Sequence, residues 1–439
     1  MVRKMKNSGI EWFPIIPYSW KLGRIKNIID ILTDYTANGS FGDLAKNVQY
    51  LDYEDYARLV RLTDLREKLE NEGIYVSQDS YEYLSKSKLF GGEVLVANVG
   101  AYAGLFCEMP EIDKRATLGP NMFLIRTNQN MLQHYLLYLG NSKIVGEQLI
   151  QKVVSAAQPK LNKNDLKTVV IPIPCIEEQQ KIADYLDKKC AEIDSLSMDI
   201  QSQISTLEDY KKSVITEAVT KGLHPDVEMK DSGIEWIGEI PNLWSVHPVY
   251  YYFSERKNKN IFGVENNLLS LSYGKIVRKN INSNEGLLPE SFNTYNIVEK
   301  DDIIIRPTDL QNDKRSLRTG IVKERGIITS AYISLKATKE INAVYFHYLL
   351  HAYDITKVFY NMGNGVRQGL NFSEISKLLV IEPSIEEQCE IVIYLNKKCA
   401  VIEAVIAEKR KQLEVLEQYK KSLIYEYVTG KREVPDNND

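Results

Sequence analysis

Two stretches decide how this chain folds: "IEEQQKIADYLDKKCAEI" at residues 176–193 and "IEEQCEIVIYLNKKCAVI" at residues 385–402. They lie 209 positions apart, and reading on at that offset gives 23 identities in 47 positions, through a shared "YKKS" at 210–213 and 419–422. Acidic residues open each copy, where the helix dipole favours negative charge. Pro174 and Pro383 sit just upstream, as expected near a helix entry. Apolar residues then recur every seven positions, at Leu186, Ile193, Ile200 and Leu207 in the first copy and at Leu395, Ile402, Leu416 and Leu423 in the second, where Lys409 interrupts the stripe. A second stripe runs through Ile182, Lys189, Leu196, Gln203 and Tyr210. A 3.5-residue period held over five heptads predicts a coiled coil. Lys189 with Lys398, and Gln203 with Gln412, place polar residues at matching seam positions. They either sit buried and fix register, or line the rim of a wider bundle. About 44 helical residues make a rod of roughly 66 Å. Neither copy can cover such a stripe alone, so the two are expected to pack on each other and hold two other regions apart.

A shorter repeat precedes each helix. "SGIEWFPIIPYSW" (8–20) returns as "SGIEWIGEIPNLW" (232–244). Trp12 and Trp236 are expected to pack where the long helices meet the regions between them. Those regions, 21–175 and 245–384, share only a skeleton. "GEVLVANVG" (92–100) answers "DDIIIRPTD" (301–309), and Arg115 answers Arg325. "HYLLYL" (134–139) answers "HYLLHA" (347–352), which makes His134 and His347 equivalent. β-Branched runs bounded by Gly, Pro and Asn predict strands. The fold class that follows is α/β (α+β), one domain used twice with rewritten loops, together with two long coiled-coil helices. The segments are 1–175, 176–222 (long helix), 223–384, 385–430 (long helix), and a tail, 431–439, that reads as disordered.

Bulk composition narrows the function classes. At 439 residues the chain suits two or three domains. No apolar run approaches the 18 or so residues of a membrane span, and the N-terminus lacks an apolar signal core. Five cysteines without a CxxC fit a reducing cytoplasm, with Cys190 and Cys399 as small buried side chains at equivalent positions. The net charge of −4 counts mildly against nucleic-acid binding, although the placement of positive charge matters more than its sum.

No reagent set is visible: no GxxxxGK[ST], GxGxxG, HExxH or GxSxG, and no metal-ligand spacing among the five histidines. No cofactor, metal or catalytic residue is expected. What remains is polar and locally basic. "RPTDLQNDKRSLRTGIVKER" (306–325) carries Arg and Asn, which read base edges, and Lys, which contacts phosphate. The same segment also reads as a solvated charged loop. The candidate DNA contacts are Arg306, Asn312, Lys314, Arg315, Arg318, Arg367 and Gln368 in the second domain. In the first domain they are Asn98, Lys114, Arg115, Gln158 and Lys160. Lys160 and Arg367 adjoin the repeated segments, where backbone contact is the expected role.

The duplicated order, from "DSGIEWIGEIPNLW" through a variable domain to "RQGLNFSEI", "IEEQ", "YLNKKCA" and "YKKSLI", resembles the specificity subunit of type I restriction–modification systems over residues 8–430. The resemblance implies two target-recognition domains, each reading one half of a split double-stranded DNA target, separated by two long helices packed antiparallel with pseudo-twofold symmetry. It also implies partners: two methyltransferase (modification) subunits that methylate adenine at N6, and restriction subunits that translocate and cleave with ATP. The missing active site is then expected, because the partners carry it. A specificity subunit of another restriction or phage-defence methyltransferase system, and a coiled-coil scaffold with no DNA role, are the alternatives.

Overall fold

The computed structural model describes residues 3–152, 159–280, 291–308, 317–362 and 369–435. The chain divides into two compact units, 1–199 with 412–439, and 200–411. Both boundaries fall inside the long helices, which run continuously over Ile176–Lys221 and Ile385–Val428. At 1.5 Å per residue the first is about 69 Å long. Glu177 and Glu178, and Glu386 and Glu387, occupy the first turns. The helices stop where glycines adopt the left-handed conformation, Gly222 (φ +77°) and Gly430 (φ +68°). A Cβ at Gly430 would lie 2.4 Å from the Pro17 ring, so the glycine also permits a close approach.

The first unit centres on a four-stranded antiparallel sheet, Phe106–Glu108, Val94–Ala97, Met122–Thr127 and Ile29–Asp34, in that spatial order. The second repeats it in the same order with Thr319–Ile321, Ile303–Ile305, Ile333–Ala337 and Phe253–Glu255. A two-stranded ribbon closes each unit: Lys21–Arg24 with Val170–Ile173, and Ser245–Pro248 with Leu379–Glu382. The units differ beside this frame. The first adds a five-stranded sheet, four of its strands between Tyr50 and Leu89 and the fifth Ala116–Leu118. The second instead carries a hairpin, Leu269–Ser272 with Lys275–Arg278.

Matched hydrogen bonds fasten the frame in both units. Trp20 Nε1 donates to Glu178 Oε2 (2.7 Å), and Trp244 Nε1 to Glu387 Oε2 (2.8 Å). Gln179 Nε2 donates to the Pro174 carbonyl and Gln388 Nε2 to that of Pro383, each at 3.0 Å. The sequence singles out Trp12 and Trp236, and both pack against the cores. The anchors, however, are Trp20 and Trp244, each 1% exposed and tied to a long helix.

The same matching corrects the helix alignment. Tyr135 donates to the Val428 carbonyl (3.4 Å) and Tyr345 to that of Val219 (3.1 Å). Leu132 N–H meets Gln179 Oε1 and Asn342 N–H meets Gln388 Oε1, each at 2.9 Å. Tyr135 is therefore the counterpart of Tyr345, an offset of 210 rather than the 213 that matches "HYLL" to "HYLL". His134 and His347 are not equivalent. A slip of three residues, nearly one turn, preserves helical periodicity and so goes unnoticed in sequence.

Within the first unit, residues 176–199 pack antiparallel on 412–428. Asp194 accepts from Lys420 Nζ (2.7 Å), and Tyr185 lies 4.7 Å from Tyr427. In the second unit Lys211 reaches Glu403 (2.5 Å) and Arg410 reaches Glu208 (2.9 Å). Leu186, Ile193, Ile200, Leu395, Ile402 and Leu423 are buried, while Leu207 and Leu416 are half-buried. Gln203 and Gln412 are exposed, so these seam polars are rim residues. The tail is ordered through residue 435: Arg432 pairs with Glu426 and Val434 packs on the core, while 436–439 lie outside the described residues.

Candidate functional site

In the first unit the sheet end shapes a groove. Asn98, just past strand Val94–Ala97, donates its N–H to the Asn121 carbonyl (3.0 Å) and accepts at its own carbonyl from Leu161 N–H (2.8 Å). Val99 and Lys160 form an antiparallel bridge. These backbone ties bring Asn98 and Lys160, expected as contacts on sequence, into one groove of about 1040 Å³ with Asp34, Tyr35, Phe41 and Asn121.

The groove has a definite chemistry. Asn98 Oδ1 is buried and has no hydrogen-bond partner among the described residues. A recessed acceptor of this kind normally has one, so it is poised for a ligand donor. Lys160 is exposed at the wall. Lys163, which the sequence reading passed over, is held by Asp34 at 2.9 Å. Phe41 leaves 77% of its surface exposed and offers a stacking face. Burial, with the neighbouring Tyr50 hydroxyl, raises the Tyr35 pKa and keeps its phenol neutral. Lys163 lies in the "QPKLNKNDL" segment already marked, but its pairing with Asp34 depends on tertiary contact. Nothing in local sequence announces Phe41.

Lys114 and Arg115 are not among the residues lining that groove. Lys114 pairs with Glu54, and the Arg115 guanidinium lies 4.6 Å from the centre of the Tyr56 ring. In the second unit Arg306 is half-buried and donates its N–H to the Arg318 carbonyl (2.8 Å). Arg318 differs from expectation. It is 0% exposed, its guanidinium donates to the Thr308 carbonyl and to Tyr360 Oη (3.3 Å), and its N–H donates to Asp354 Oδ2 (2.5 Å). A guanidinium enclosed in this way positions backbone and does not reach a base edge. Gln158, Asn312, Lys314, Arg315, Arg367 and Gln368 lie outside the described residues.

Among the described residues no group of three or more His, Cys, Asp or Glu is placed to hold a metal ion, and no helix is long and apolar enough to cross a membrane.

Residues 17–206 match the family described as the type I restriction modification DNA specificity domain. The sequence assigned as the MjaX type I restriction enzyme specificity subunit of Methanocaldococcus jannaschii is 26% identical over 432 residues, covering 95% of this chain and 94% of that one. Residues 17–206 thus carry a type I restriction–modification specificity domain, and the chain as a whole is similar to specificity subunits. The MjaVIII type I restriction enzyme specificity subunit of the same organism is 25% identical over 74% of this chain and 77% of its own length. A solved chain from a type I restriction–modification system, 14% identical, superimposes with a TM-score of 0.68 over 95% of this chain and 99% of that one, a likeness of fold. The family match stops at residue 206, but the MjaX alignment carries on through the second copy.

Proposed function

We propose that this chain is a specificity subunit that reads a bipartite double-stranded DNA target, each recognition domain reading one half. It directs adenine-N6 methylation and restriction by partner subunits, two for modification and others for ATP-dependent restriction. Catalysis belongs to those partners, and the complex works in the cytoplasm. One observation carries this reading. The frame bonds from Trp20 and Trp244 to the long helices and the four-stranded sheet are matched, while the strands beside that sheet, a five-stranded sheet in one unit and the hairpin Leu269–Arg278 in the other, are not. A kept frame with rewritten loops is what reading two different sequences from one scaffold requires. In the first domain Asn98 is the proposed base-edge acceptor and Lys160 the phosphate contact. Arg318 acts through the backbone ahead of residues 309–316, and Lys114, Arg115 and Arg306 stay secondary candidates.

Single-molecule methylation mapping of the genome, with and without this gene, tests the proposal. The expected result is a split N6-methyladenine motif that vanishes on deletion. An unchanged methylome in a strain that expresses the whole system would overturn it.

A further inference from the structure

The second unit holds a cavity of about 590 Å³ with no part in the reading above. It lies among the hairpin turn at Tyr273–Lys275, the helix Ala343–Ile355, and residues of both long helices belonging to this unit, Lys211 and Cys399. Its walls include Ile215, Ile276 and Val344. Two histidines on one helix face, His347 and His351, line it, with ring centroids 6.2 Å apart. His347 Nε2 and His351 Nδ1 are both buried and have no hydrogen-bond partner among the described residues. Burial lowers both pKa values, to about 4 and about 3, so the rings are neutral at physiological pH and offer lone pairs.

The charge around the cavity is asymmetric. Lys211 and Lys275 are paired with Glu403, and Asp301 adds one further acid. Lys300 and Lys323 are exposed lining residues with no ion-pair partner among the described residues.

The repeat shows that the fold does not need these histidines. At the corrected offset of 210 the first unit has Leu137 for His347 and Asn141 for His351. Asn141 is fully engaged there, accepting from Phe106 N–H (3.0 Å) and donating to the Phe106 carbonyl (2.8 Å). The second unit replaces an apolar residue and a satisfied amide with two imidazoles, each with one buried nitrogen that has no partner among the described residues. Such groups are costly unless something pairs with them.

We infer that this cavity binds a purine nucleoside monophosphate, its base against His347 and His351 and its phosphate at Lys300 and Lys323. The two N–H bonds of the adenine amino group are donors of the kind that two lone pairs in an apolar pocket require. The volume is within the range of small-molecule sites. The nucleotide can come free or as part of a DNA strand, and the chemistry is the same for both.

The test is isothermal titration of the full chain, in complex with its modification subunits, with AMP, adenosine and inorganic phosphate. AMP is expected to bind once per chain, at least 10-fold more tightly than adenosine or phosphate alone. Two variants probe the two ends. Lys323→Glu changes an exposed side chain at the rim and should weaken AMP at least 10-fold with an unchanged melting temperature. His351→Phe fills the base end and should abolish binding. A short single-stranded oligonucleotide that competes with AMP assigns the site to a DNA nucleotide, and failure to compete assigns it to the free nucleotide. Absence of saturable AMP binding at millimolar concentration, or equal binding by wild type and both variants, would overturn the inference.

Discussion

His347 and His351 illustrate what a single residue type can do once its surroundings are fixed. Their pKa values lie at about 4 and about 3, below the ordinary 6.5, because burial disfavours the charged ring. Between those values and 6.5 the unfolded chain binds more protons than the folded one, so stability falls as pH drops through that window. His134 works the other way. Burial opposes its charge, but the Asp187 carboxylate at 2.7 Å outweighs that and raises its pKa. Its contribution is complete below 6.5 and is lost as pH rises through the raised value. The double variant His347→Leu, His351→Asn, which installs the first unit's own residues, should lose less stability between pH 7 and pH 5 than the wild type. Urea midpoints at the two pH values measure this, and equal losses would show that other groups govern acid sensitivity. None of this was legible in the sequence, where matching "HYLL" to "HYLL" paired the wrong histidines.

The long helices were the most legible elements, because a seven-residue period survives any detail of packing. The sequence could not rank the two stripes. Near the helix ends both are covered: Ile182 and Leu186 join the first core, whereas Leu196 remains 48% exposed. Toward the middle of each helix the recognition domain no longer covers the second stripe, and only residues such as Ile200, Ile204 and Ile402 stay buried. Ile402→Ala should therefore cost about 2–5 kcal/mol through lost burial and a residual cavity. Leu196→Ala should stay within about 0.5 kcal/mol. Denaturant titrations of both variants provide the comparison, and similar costs would mean that the buried stripe is misassigned.

At the scale of the molecule, the repeat makes the two recognition domains separately alterable. The repeated frame and the presence of strands followed from the repeated motifs and the apolar pattern, whereas the strand order rests on backbone pairing and came from the structure. The reading residues were only partly legible, because a base-reading side chain and a buried structural one share the same composition. Asn98 and Lys160 do meet in a groove, while Arg318 turned inward. The consequence is a crossed experiment. In the complete complex, Asn98→Ala removes an acceptor from the first domain alone. The methylated motif, read by sequencing, should relax at about one position in one half, at a discrimination cost of about 1–3 kcal/mol, and keep the other half unchanged. Arg318→Met removes the bonds to Thr308 and Tyr360 and should relax the opposite half instead. Loss of methylation across all sites with no change of motif would make Asn98 structural. Simultaneous relaxation of both halves by either variant would show that the two domains do not read independently.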